Sequence, residues 1–142
     1  MFVLDTDVVS RTSPVSRDGS RVADWLLRHK GQSVLCVVTL TELRFGVDRL
    51  KLKGVSQKAA LLDAWLEGIE TSFGARLLTV NARVATRTGH LLAKAEAAGV
   101  SPGLADACIA ASAQLTDRTV VTFNTRHYSA FGVPFRTPGD AR

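Results

Sequence analysis

Apolar residues along this chain fall into two kinds of run. Short unbroken stretches occur in "MFVLD" (1–5), "SVLCVV" (33–38), "ARLLTV" (75–80) and "TVVTF" (119–123). Each is long enough for a buried strand and too short for a helix that packs by itself. Between them the pattern changes to helical spacing. "SRVADWLLRHK" puts Val22, Trp25, Leu26 and His29 on one face, and Gly31 ends it. "TLTELRFGVDRL" carries a stripe of Leu40, Leu43, Val47 and Leu50 and breaks at "KLKG". "VSQKAALLDAWLEGIE" sets Leu61, Leu62, Trp65, Leu66 and Ile69 on its buried side. Asn81 is placed to cap the Ala-rich "ARVATRTGHLLAKAEAA", and Ser101-Pro102 reads as the start of "GLADACIAASAQL". "SRTSPVSRDGS" reads as a polar loop with at most a helical turn, and after "NTRHYSAFG" a short extended piece "VPFRT" precedes the tail.

Strands that are apolar rather than alternating, separated by helices, predict a mainly parallel central sheet covered on both faces, a three-layer α/β/α sandwich. At 142 residues, with no linker, repeat or low-complexity tract, one domain over 1–142 is expected. No apolar stretch approaches the length of a membrane span, and Asp5 and Asp7 interrupt the first one as a signal peptide would not be. Cys36 and Cys108 have no metal-binding spacing and read as packing residues in a reducing, cytoplasmic setting. The formal charge of +5 favours an anionic partner such as a phosphate backbone, or serves solubility alone.

A parallel sheet places its sites at the carboxyl ends of its strands, and acidic and polar residues fall there. Asp5 closes the first strand, Glu42 follows the second in the first turn of its helix, and Asp106 lies early in the "PGLADACIAA" helix. Thr122 and Asn124 close "TVVTFN", with His127 three residues on. Such an oxygen-rich set suits Mg²⁺ or Mn²⁺. Each residue also has a structural reading. Asp5 or Asp7 would cap the turn after the first strand, and for Asp7 the cap is the preferred role. Thr39 to Glu42 spells a capping box, Asp106 would favour its helix dipole, and Asn124 would form an Asx-turn. His127 reads as a general base or a hydrogen-bonded loop histidine. The joint placement at strand ends is what the separate readings leave unexplained.

"FVLDTDVVS", "VVTLTELRFGVDRL", "LADACIAASAQ" and "VVTFNTRHY" together resemble the PIN-domain ribonucleases, particularly the VapC-type toxins of bacterial toxin–antitoxin pairs. That resemblance implies a PIN-like fold and hydrolysis of RNA phosphodiester bonds by water. It implies Mg²⁺ held by Asp5, Glu42 and Asp106, a VapB-type antitoxin as partner, and a homodimer. Asp7, Thr122, Asn124 and His127 are possible auxiliary residues. Family members usually carry Asn where this chain has Asp7, and often a fourth acid where it has Asn124 and His127. Arg44, Arg49, Lys51 and Lys53, close to Glu42, are candidates for guiding RNA, or else a solvated helix end.

Three alternatives stand beside this reading. "DTDVV" also fits a haloacid-dehalogenase-type phosphohydrolase with Asp5 as nucleophile and Asp7 as acid. No lysine follows Lys94, however, and "PGDAR" comes too late to return to the site. A phosphate-receiver domain lacks the same lysine. A non-catalytic RNA- or antitoxin-binding module with a degenerate site is the third.

Overall fold

The computed structural model describes residues 1–17 and 19–139. Five strands form one sheet: β1 (Phe2–Leu4), β2 (Ser33–Cys36), β3 (Leu77–Leu78), β4 (Thr119–Val121) and β5 (Phe135–Arg136). Their order is β3-β2-β1-β4-β5, and every pair is parallel. In register, Leu4 of β1 lies between Leu35 of β2 and Val121 of β4. Seven α-helices are described: α1 (Thr6–Ser10), α2 (Gly19–His29), α3 (Val37–Leu52), α4 (Ser56–Phe73), α5 (Ala82–Ala97), α6 (Leu104–Leu115) and α7 (Thr125–Phe131).

Strand alternation divides the core into two layers. Val3, Val34 and Val120 point to one face, where Leu91, Ile109, Tyr128 and Phe131 of α5, α6 and α7 cover them. Leu4, Leu35 and Val121 point to the other, under Val8, Trp25, Leu43 and Leu66 of α1 to α4. The fold is thus the expected α/β/α sandwich. Small side chains at Ala107, Ala110, Ala111 and Ala113 are fully buried, so the α6 backbone runs close to its neighbours. Cys36 and Cys108 are both buried and unbridged.

Four local features differ from the sequence pattern. "SVLCVV" is not all strand: the chain turns helical at Val37, so α3 has Cys36 at its N-cap and Thr39 in its first turn. The capping-box reading of Thr39 and Glu42 therefore fails, and Glu42 lies in the second turn. Ser101 and Pro102 precede α6, whose N-cap is Gly103. Leu61 is exposed rather than buried, because the packed side of α4 runs through Ala59, Leu62, Trp65 and Leu66. "NTRHYSAF" is the helix α7, which buries Tyr128 and Phe131 one turn apart and ends at Gly132 with φ +70°. That left-handed φ suits a residue without Cβ.

Candidate active site at the switch point of the sheet

The chain steps outward from β1 to β2 and β3, then returns to the other side of β1 with β4 and β5. The crevice beyond the carboxyl ends of β1 and β4 is the position where open parallel sheets bind ligands. Asp5 and Thr122 are the first residues past those two strands.

Asp5 is 2% exposed. Its backbone N–H donates to Val121 O, which extends the β1–β4 ladder by one residue. Its Oδ1 accepts from the Thr6 N–H at 2.7 Å, making Asp5 the N-cap of α1. Its Oδ2 accepts from Thr122 Oγ1 at 2.7 Å, and the same hydroxyl accepts from the Asn124 N–H. Burial, reinforced by the neighbouring charge of Asp7, pushes its pKa up from 3.8 to about 7, against the pull of Thr122. Asp106 adds to the rise, and the Thr6 N–H opposes it.

Asp7 does not cap α1; Asp5 does. Asp7 Oδ2 instead accepts from the Phe123 N–H, 116 positions away, at 3.0 Å. Its Oδ1 is buried without a hydrogen-bond partner among the described residues. Burial raises the pKa of this carboxyl too, partly offset by the Phe123 N–H and the charge of Arg11.

Glu42 reaches the crevice from α3. Thr6 Oγ1 donates to Glu42 Oε1 at 2.6 Å and lies 3.2 Å from Oγ1 of the fully buried Thr39. Asp106, in the first turn of α6, is held from the other side. His127 Nδ1 lies 2.6 Å from Asp106 Oδ2, and Asn124 Nδ2 lies 3.4 Å from that oxygen and 2.6 Å from the same ring nitrogen. Asn124 therefore spends its side chain across the crevice and makes no side-chain cap on α7. Beneath them the Tyr128 hydroxyl is buried close to Asp5, without a hydrogen bond of good geometry among the described residues. Burial pushes its pKa well above 10, and the charges of Asp5 and Asp106 push it further.

The geometry thus joins Asp5, Asp7 and Asp106 electrostatically and ties Glu42 to the same turn through Thr6. It brings Thr122, Asn124 and His127 into direct contact with them. Thr6, Thr39 and Tyr128 are further site residues that sequence reasoning missed. "DTD" draws attention to its acids, and nothing in it marks the threonine between as the link to Glu42.

In its chemistry this donor set fits a hard divalent cation. It is made of oxygens, like charges destabilise one another in it, and it contains a buried carboxylate oxygen left unpaired. Among the described residues no three acidic, histidine or cysteine side chains converge on one point as a ready-made cage. Glu42 is engaged by Thr6, and Asp106 by His127 and Asn124.

The basic residues beside Glu42 are differently placed. Arg44 Nη1 donates to Asp63 at 2.6 Å and Lys51 Nζ to the other oxygen of Asp63 at 2.7 Å; Asp48 lies 3.6 Å from each. These two form a clamp between α3 and α4. The Arg49 guanidinium lies over Phe45, 5.6 Å from the ring centre.

A parallel sheet with carboxylates gathered at its switch point defines the class: residues 2–131 match the PIN domain, and the chain belongs to that family. It is 33% identical to the plasmid stability protein StbB of Pseudomonas syringae pv. tomato, over 99% of this chain and all of that one. It is 28% identical to the VapC ribonuclease Y4jK of Sinorhizobium fredii, over 97% of each. Among solved structures, FitAcB from Neisseria gonorrhoeae superposes with a TM-score of 0.83 at 30% identity, covering 99% of this chain and 100% of that one. Family membership separates the chain from the dehalogenase-type and receiver alternatives.

Proposed function

We propose that this chain is a divalent-metal-dependent endoribonuclease, with Asp5, Glu42 and Asp106 as its catalytic carboxylates. It is the toxin of a VapBC-type toxin–antitoxin module, and its protein partner is a VapB-type antitoxin. The observation that supports the site assignment is the placement around one crevice of Asp5 just past β1, Asp106 on α6 and Glu42 on α3, the last tied to the Asp5 turn through Thr6. There Asp5 is 2% exposed yet repelled by Asp7 and Asp106.

Asp5, Glu42 and Asp106 would hold Mg²⁺ or Mn²⁺, with Asp7 adding charge at the rim. The bound cation would acidify the attacking water and neutralise charge on the RNA phosphate. The chain's own groups do the rest. Thr122 Oγ1 and the Thr6 N–H fix the two oxygens of Asp5, and the Thr6 hydroxyl orients Glu42. His127 and Asn124 hold Oδ2 of Asp106. Where a fourth acid is common in the family, this chain thus supplies two groups that grip the third. A homodimer in the cytoplasm belongs to the same reading. No helix among the described residues is long and apolar enough to cross a membrane.

Incubation with a broad RNA panel and Mg²⁺ tests the reading. Cleavage should stop with EDTA and fall about a thousandfold or more in Asp5→Asn and Asp106→Asn, since the charge stabilisation at stake is several kcal/mol. Absence of metal-dependent cleavage across the panel would favour the non-catalytic module instead.

A further inference from the structure

Beside the acidic crevice lies a cavity of about 410 Å³ of opposite character. Arg11, Arg17, Ser20, Arg21, Phe123 and the chain at Pro138-Gly139 line it. No acidic side chain lines it among the described residues. Arg17 and Arg21 bring two exposed positive charges to this space, which attract an anion. Arg11 is held in place, with its guanidinium 3.9 Å from the centre of the Phe123 ring. Arg17 and Arg21 are exposed and form no ion pair among the described residues.

Phe123 is the wall between the two sites. Its backbone N–H holds Asp7 on the acidic side, and its ring carries Arg11 on the basic side. Arg11 is close enough to lower the Asp7 pKa through its charge. The arrangement meets a physical difficulty. An acidic crevice repels the polyanion it must act on, so productive binding needs attraction just outside it. Guanidinium forks match phosphate oxygens in pairs, which makes arginine better suited to this than lysine. The residues singled out by sequence offer less of this, because Arg44 and Lys51 are already spent on Asp63.

We infer that the Arg11–Arg17–Arg21 cavity is a phosphate subsite that grips an RNA backbone phosphate neighbouring the one to be cleaved. This rests on the ribonuclease reading above. The subsite recognises backbone and carries no base choice, so it contributes affinity and register.

The test uses full-length protein carrying Asp5→Asn, so that RNA is bound and not cut, and a short, labelled, mixed-sequence RNA oligonucleotide. Adding Arg17→Ala and Arg21→Ala should weaken binding about tenfold or more. It should also flatten the plot of log affinity against log salt by about 0.7 for each phosphate no longer gripped. Lysine at both positions should restore the salt slope and only part of the affinity. Equal affinity and slope in the Ala variant and its parent would overturn the subsite. Unchanged RNA binding with lost antitoxin binding would overturn it too and give the cavity to the protein partner. A parent that binds no RNA at low salt would instead bring down the ribonuclease reading itself.

Discussion

Two charged clusters in this molecule share α3, and they are built on opposite principles. Between α3 and α4, Arg44 and Lys51 meet Asp63 and Asp48 at the surface. Each charge has its opposite, and the Asp63 carboxyl is held below its ordinary pKa by Lys51 first and Arg44 next. In the crevice past β1, carboxylates face carboxylates, and the buried Asp5 is pushed up to about 7. The first cluster is balanced and costs the fold little. The second is unbalanced, and a bound cation would make up the difference. A cluster of charge is informative when it lacks compensation; a complete one is ordinary surface chemistry.

The comparison is broken most severely at Asp5. Its folded-state pKa lies above the ordinary 3.8, so the native state holds the proton more tightly than the unfolded chain. Its contribution is fully present below about pH 4 and is lost as pH rises through about 7. Asp5→Asn should therefore stabilise the metal-free protein at pH 8, by on the order of 3 kcal/mol, and flatten its stability between pH 4 and 7. Urea melts with and without Mg²⁺ check this. Mg²⁺ should raise the wild-type midpoint at pH 8 and leave the variant's nearly unmoved. A variant less stable than wild type at pH 8 would contradict the uncompensated crevice.

A smaller effect is expected at Thr6, whose hydroxyl orients Glu42. Thr6→Val keeps the backbone N–H that Asp5 caps and frees the Glu42 side chain. Metal affinity by titration calorimetry should fall about 10- to 100-fold with an unchanged circular dichroism spectrum, and Thr6→Ser should recover most of it. The smallest effect belongs to the balanced cluster. Asp63→Asn should leave cleavage unchanged and move the melting temperature little or not at all, since exposed ion pairs are screened and contribute weakly. Cleavage lost in Asp63→Asn would mean that the α3–α4 clamp supports the site.

Much of this arrangement was readable in the chain. The parallel sheet followed from strands whose apolar residues run together and do not alternate with polar ones, and Asn81 caps α5 as its sequence suggests, accepting from the Val84 N–H at 3.0 Å. What could not be read were features decided by tertiary partners. α1 is a five-residue helix rich in β-branched side chains, too short to show a period, and Asp5 anchors it. Val37 and Val38 read as strand because β-branched residues favour it, yet they open α3. The cap falls to Asp5 and not to Asp7, which finds its donor at Phe123. Likewise sequence shows that Arg44 and Lys51 are basic; only the fold shows that α4 has already claimed them.

The strand order has one further consequence, for the moment of synthesis. β1 emerges first, but it occupies the middle of the sheet and needs β4 on its far side. Asp5 finds Val121 and Thr122 only after some 117 further residues have been made. Pairings so distant in sequence form late and slow the search for the native state. A nascent chain therefore carries Asp5 and Asp7 from the start without the scaffold that aligns them. The crevice takes shape only when almost the whole chain has emerged.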